Sequence, residues 1–573
     1  MEEANPRGKA SGVRELADTF HERWLAAYPF IASIYGITGY DDRVPDESEG
    51  GEAARRAELE LVLAELDGFD ASQLSDADAV TLGCLVENVH QELRAIDARL
   101  IEHTVSAIPV GGPPLFLGIA ARTVIGDAPG ADAYLERLRR SGEYLDQQTE
   151  RLRIGAAKGR LPVAPLVVEA LEWAESVLKE PMPEAVAAPE PPEGWEAETA
   201  WREERDALAA GVVKPALARW TELLRELLPQ ARPGEQAGLV HLPGGEADYA
   251  RCLESFTTLP LTAEEIHRIG LEEVERFEAL LLELGAELKL SSLAAIHRAA
   301  RESSKLRRPE DAIAAATAAI RRAEAATPEY FPPPPLPPCD VAPMPSVIAS
   351  AGMAPHYSPP RLDGERPGTY WFNLERPTAG TGWDLEVVAF HEGVPGHHLQ
   401  LSRIRMLDLP DMQRQRALSV FSEGWALYAE QLADEMGLYP DTESRIGALV
   451  TSLLRAARLV VDTGLHALAW SRQRAIDFLV AHVPMPEAFL ADEVDRYIVY
   501  PAQAVTYQIG KRELLRLRAE AERRLGSRFA LPEFHAAVLD SGSLPMPVLD
   551  DKLRRWSASS VSVRSRSAST RMT

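Results

Sequence analysis

Apolar residues recur three and four positions apart through most of this chain, a period that allows little besides packed helices. The segments ELADTFHERWLAAYPFIASIYG, AARRAELELVLAELDGF and ADAYLERLRRSGEYLDQQTERLRIGAA all carry it. Ala, Leu, Glu and Arg dominate these segments, and all four favour helix. Thr262 precedes Glu264 and Glu265, acids suited to a first helical turn. No repeat of fixed length is visible, so a solenoid is not expected. One segment reads as strand: TYWFNLERP, residues 369–377, is aromatic and bounded by prolines. The expected fold is mainly α, a large multi-helix body with one small β-sheet.

With 573 residues the chain has room for about four domains at roughly 150 residues each. Two proline-rich stretches interrupt the helical pattern. Residues 181–195 read as an exposed connection between helices, and residues 330–340 as a polyproline strap. A rigid strap across one body fits both better than a flexible linker. The expected organisation is a flexible N-terminus (1–13), one large helical domain (14–556) divisible into halves 14–325 and 340–556, and a disordered Ser/Arg-rich tail (557–573).

The charge balance narrows the partners. The 61 Lys and Arg face 87 Asp and Glu, a net charge of −26. That argues against a nucleic-acid face and against an anionic membrane surface. The three cysteines, Cys84, Cys252 and Cys339, are far apart, so no disulfide framework is expected and a reducing cytoplasm fits. The first residues carry no apolar signal segment, and no stretch approaches the roughly 18 apolar residues of a membrane span. The expected location is cytoplasmic.

Chemistry concentrates in WDLEVVAFHEGVPGHHLQLSRI. His391 and Glu392 end an apolar run, and His397 and His398 follow Gly393-Val394-Pro395-Gly396. A metal site needs imidazoles that converge, with a carboxylate near the metal-activated water. The familiar H-E-x-x-H places two histidines four apart on one helix, but here position 395 is proline. On an uninterrupted helix His397 would lie on the wrong face, and His398 roughly 10 Å along the axis. Pro395 and Gly396 favour a break that swings His397 back toward His391. His391 and His397 are therefore the expected zinc ligands, with His398 in reserve. Glu423, in the apolar surround of SEGWALYAEQL, is the expected third ligand, because a buried carboxylate needs a partner or a metal. Glu430, two turns on, is a reserve ligand, an outer acceptor for a histidine N–H, or an ordinary solvated or core-edge acid.

Further along, Arg455, Arg458, Asp462 and His466 fall within one stripe of about 80° on an otherwise apolar helix. Such a stripe is either a structural ion-pair network or the wall of a wet cavity. In the second reading the arginines bind substrate, Asp462 supports them, and His466 faces the reacting group as proton donor or oxyanion stabiliser. Tyr507, in YPAQAVTYQIGK, is a candidate hydroxyl donor to an oxyanion or else an ordinary core residue. Tyr370 and Asn373 on the expected strand are placed to hold an extended peptide by strand addition. His356 and Tyr357 read as loop caps.

These motifs are similar to those of the domain-of-unknown-function 885 family, whose hallmark is H-E-x-x-P-G-H-H, here His391 to His398. The likeness extends over RPGTYWFNL, SEGWALYAEQL, RAARLVVDTGLHALAW and YPAQAVTYQIGK, and over nearly the whole chain to about Trp556. The family looks like a distant relative of helical zinc peptidases such as thimet oligopeptidase, carboxypeptidase Taq and angiotensin-converting enzyme. The resemblance implies a deep channel with the metal on its floor beside the small sheet, and short peptides as substrates. The expected function is a zinc-dependent metallohydrolase, a peptidase with Glu392 as general base and one Zn²⁺. The alternatives are a metal-dependent hydrolase or lyase of a small modified amino acid or amide, and a catalytically inactive helical binding protein. The expected partner is a peptide or small amide.

Overall fold

The protein is described here from a computed structural model over residues 6–302, 309–333, 336–344, 354–361, 366–374 and 382–569. It is 72% helical, with one three-stranded sheet. The expected helix start at Thr262 is a capping box. Its side chain accepts from the Glu265 N–H, and the Glu265 carboxylate accepts from the Thr262 N–H. The first helix already begins at Pro6, inside the segment read as flexible. The last, Met546–Ser569, carries helical backbone into the Ser/Arg-rich segment read as disordered.

One buried apolar cluster joins residues from opposite ends of the sequence. Val13 and Phe20 of the first helix belong to it with Leu85, Tyr249, Phe390, Trp425, Ile509 and Leu549. A second cluster is built on the helices Ala263–Glu287 and Thr442–His466, with Phe277, Leu281, Leu453 and Val460 at its centre. The helix Thr442–His466 is buried along nearly its whole length, which is why its sequence is apolar on every side except the charged stripe.

The sheet corrects part of the sequence reading. Strands β1 (Asp340–Pro343), β2 (His356–Ser358) and β3 (Thr369–Phe372) lie in the order β1-β3-β2. The aromatic strand β3 is the central one, parallel to β1 and antiparallel to β2, with Tyr370 opposite Val341 and Tyr357. Both its edges are paired, so no extended peptide can add to it. Tyr370 is fully buried and Asn373 nearly so, and neither presents a surface to substrate.

Candidate metal centre

The motif folds back on itself at the break that proline and glycine predict. The helix Leu385–Glu392 stops at Glu392, and a new helix, His397–Arg405, begins five residues later. The return is tight. The Gly396 N–H donates to the Phe390 carbonyl at 3.0 Å, and a Cβ at Gly396 would lie 1.9 Å from the His391 carbonyl oxygen. Only glycine fits there. The Trp425 indole N–H pins the loop by donating to the Pro395 carbonyl at 3.0 Å. As a result the His391 and His397 rings stand edge to face, with centroids 4.9 Å apart.

Glu423 comes from the helix Ser419–Glu435. That helix packs tightly on Thr506–Leu525, because a Cβ on Gly424 would lie 2.5 Å from the Gly510 Cα and one on Gly510 would lie 2.0 Å from the Val420 carbonyl oxygen. Glu423 Oε2 lies 3.6 Å from His391 Nε2 and 3.5 Å from His397 Nε2. These three residues form the one group of candidate metal ligands among the described residues.

The distances fit a metal better than a set of hydrogen bonds. Charge-assisted N–H···O contacts usually run about 2.7–2.9 Å. A tetrahedral zinc with bonds of about 2.0–2.1 Å has ligand-to-ligand edges near 3.4 Å. The other nitrogen of His397, Nδ1, is buried with no partner among the described residues. His391 Nδ1 donates to Glu430 Oε1 at 2.8 Å, which orients the ring and leaves Nε2 as the nitrogen that faces Glu423. Thr451 donates to the other Glu430 oxygen at 3.3 Å. Glu430 is thus the outer acceptor rather than a ligand. Burial pulls the His391 pKa down, but the Glu423 and Glu430 carboxylates beside it outweigh that and raise the pKa to about 9. Burial pushes the Glu423 carboxyl up, and the two histidines more than reverse that, holding it well below the usual carboxylate range. Without a metal His391 is therefore protonated near neutral pH, and a cation bound at its Nε2 would displace that proton while the Glu423 carboxylate stays ionised.

His398 is excluded as a ligand. Its Nε2–H donates to the Pro337 carbonyl at 2.8 Å, so Nδ1 is the acceptor, and the Tyr357 hydroxyl donates to it at 3.0 Å. Glu392, at the end of the motif helix, is buried, and its Oε2 accepts from the Tyr357 N–H at 2.7 Å. Strand β2 thereby aims the carboxylate and locks His398 with the same residue. The expected loop cap at Tyr357 is instead the middle of a strand, which a three-residue run gives no alternation to reveal. Tyr507 stacks near His391, with ring centroids 6.4 Å apart and an interplanar angle of 20°. The Arg458 guanidinium lies 4.7 Å from the Tyr507 ring centroid. Burial raises the Tyr507 pKa, which keeps the phenol protonated and a donor.

The polar stripe of the helix Thr442–His466 divides among separate partners rather than forming one network. Arg458 binds Glu493 at 2.7 Å and the Tyr497 hydroxyl at 3.0 Å. Asp462 accepts from the Tyr249 hydroxyl at 2.5 Å and from the Ala502 N–H at 3.1 Å, and it supports the turn that leads into Tyr507. Arg455 donates to the Thr451 carbonyl at 3.3 Å, in the turn that also holds Glu430. His466 is not a catalytic donor. The Leu239 N–H donates to its Nδ1, and its Nε2–H donates to the Tyr497 carbonyl, so neither nitrogen is left for a reacting group. Glu493 and Tyr497, which fix Arg458, escaped the sequence reading because nothing in their spacing marks them.

Comparison with known proteins agrees with this geometry in fold. The model of a family described as "Bacterial protein of unknown function (DUF885)" matches residues 29–553. The chain belongs to this family. No curated protein matches it. The crystal structure of a protein described as "putative lipoprotein" from Colwellia psychrerythraea is 25% identical, with a TM-score of 0.86 over 96% of this chain and 99% of that one. A "putative lipoprotein of unknown function" from Shewanella oneidensis superposes with a TM-score of 0.72 at 17% identity, over 94% of this chain and 99% of that one. The second likeness shows the fold alone. Among the described residues of this DUF885 protein, no helix is long and apolar enough to cross a membrane.

Proposed function

We propose that this DUF885 protein is a zinc-dependent hydrolase acting on the amide bonds of short peptides. The observation that carries the reading is the convergence of His391 Nε2, His397 Nε2 and Glu423 Oε2 at 3.5–3.6 Å, with Glu430 orienting His391 from behind. These three residues would hold the ion and leave a fourth position open, as catalytic zinc sites do. A bound zinc supplies Lewis acidity, which polarises a carbonyl and makes water more acidic. The remaining work falls to the chain. Glu392 takes a proton from water and returns it to the leaving amine, its direction set by the Tyr357 N–H. The Tyr507 phenol donates to the developing oxyanion, its ring held against Arg458. The peptide preference rests on the likeness to helical zinc peptidases, and the cytoplasmic location on three buried, unbridged cysteines.

Glu392→Gln tests the reading. The variant should keep its metal while turnover of a mixed short-peptide pool, followed by mass spectrometry, falls at least about 100-fold. Unchanged turnover would remove Glu392 from its role.

A further inference from the structure

A cavity of about 360 Å³ has Glu430, the residue that orients His391, in its lining. Its apolar wall is made by Phe277, Leu280, Leu284 and Leu449. Lys511 also lines it, although the residue is only 4% exposed. The Lys511 ammonium lies 5.9 Å from the Phe277 ring centroid and has no hydrogen-bond or salt-bridge partner among the described residues. An ammonium this deep is costly without an anion.

The other charges at the cavity are already engaged or at its rim. Glu430 is held by His391 and Thr451. Asp434 is held by Arg445 at 2.9 and 3.1 Å. Arg276 is paired with Glu273, and Glu283 is exposed to solvent. Lys511 touches no acid directly, and its neighbours Glu430 and Glu273 only partly offset the burial that pulls its pKa down to about 8. An anion placed against it would meet one ammonium with no direct partner, beside a Glu430 carboxylate already held by His391 and Thr451, and an aliphatic and aromatic wall.

From this we infer that the cavity is a binding site for a small monocarboxylate with an apolar tail, its carboxylate on Lys511 and its tail against Phe277, Leu280 and Leu449. The site is separate from the proposed metal centre but shares Glu430 with it, so a bound carboxylate sits one residue from the histidine that Glu430 orients.

Hexanoate is a suitable probe, with hexan-1-ol, hexylammonium and sulfate as controls at matched ionic strength, on the full chain. Hexanoate should raise the melting temperature saturably and give a titration isotherm, whereas hexan-1-ol and hexylammonium should not. Lys511→Met, which keeps the stem volume, should retain the helical circular dichroism and weaken hexanoate at least about tenfold. Leu449→Trp, which fills the cavity and leaves the ammonium in place, should also block binding. Equal responses to hexanoate and hexan-1-ol, or undiminished hexanoate binding in Lys511→Met, would overturn the site. Sulfate binding as tight as hexanoate would overturn the apolar-tail assignment, and no hexanoate binding by the unmodified protein would overturn the whole inference.

Discussion

Two nitrogens of one imidazole divide the labour at His391. Nε2 faces Glu423 and Nδ1 is spent on Glu430, so the ring cannot rotate without losing a buried hydrogen bond. Glu430→Gln keeps the shape of that acceptor but removes its charge. Zinc affinity, measured by chelator competition, should fall about 10- to 100-fold while the fold is kept. The grouping of His391, His397 and Glu423 was legible in the sequence because their chemistry and spacing have few other uses. The roles of His398 and His466 were not, because a buried histidine looks the same in sequence whether it meets a reacting group or a carbonyl. In both residues the deciding partners, Pro337 and Tyr497, lie far along the chain and offer only backbone oxygen.

At the scale of elements, the site exists because two helices approach closely enough to put Glu423 and Tyr507 beside the motif. Gly424 and Gly510 allow that approach. Gly510→Ala would place a methyl 2.0 Å from the Val420 carbonyl oxygen, which belongs to helix backbone and cannot rotate away. The variant should lose about 1–3 kcal/mol in denaturant unfolding, and bind zinc more weakly as the helices part. The helices themselves were plain from their 3.6-residue period. The strands were not, since β1 and β2 have four and three residues and are fixed by pairing with β3 rather than by their own pattern. The same pairing puts β3 in the centre of the sheet and turns an expected peptide-binding edge into core.

For the molecule as a whole, the large helical body buries more than the metal site. Burial lowers the pKa of His466 to about 4 from an ordinary 6.5, and does the same to His535. Each is neutral in the folded state where the unfolded chain would take up a proton. Stability should therefore be fully present above about pH 6.5 and fall as the pH drops toward 4, by about 3 kcal/mol for His466 alone. Denaturant midpoints across that range should show the fall, and His466→Gln should flatten the slope by about one proton per chain. A slope identical in the variant would mean that His466 already titrates in the folded protein. The acid excess of the chain, −26 in net charge, remains mostly on its surface. Two of those acids, Glu423 and Glu430, instead converge on His391, and the proposed chemistry rests on them.

Metal stoichiometry tests that convergence most directly. Protein purified, stripped with chelator and reloaded with zinc should hold one ion per chain by mass spectrometry of the element. Alanine at His391, His397 or Glu423 should abolish retention, and His398→Gln should leave it at one. A wild-type chain that retains no zinc, or a Glu423→Ala chain that retains it undiminished, would contradict the metal centre.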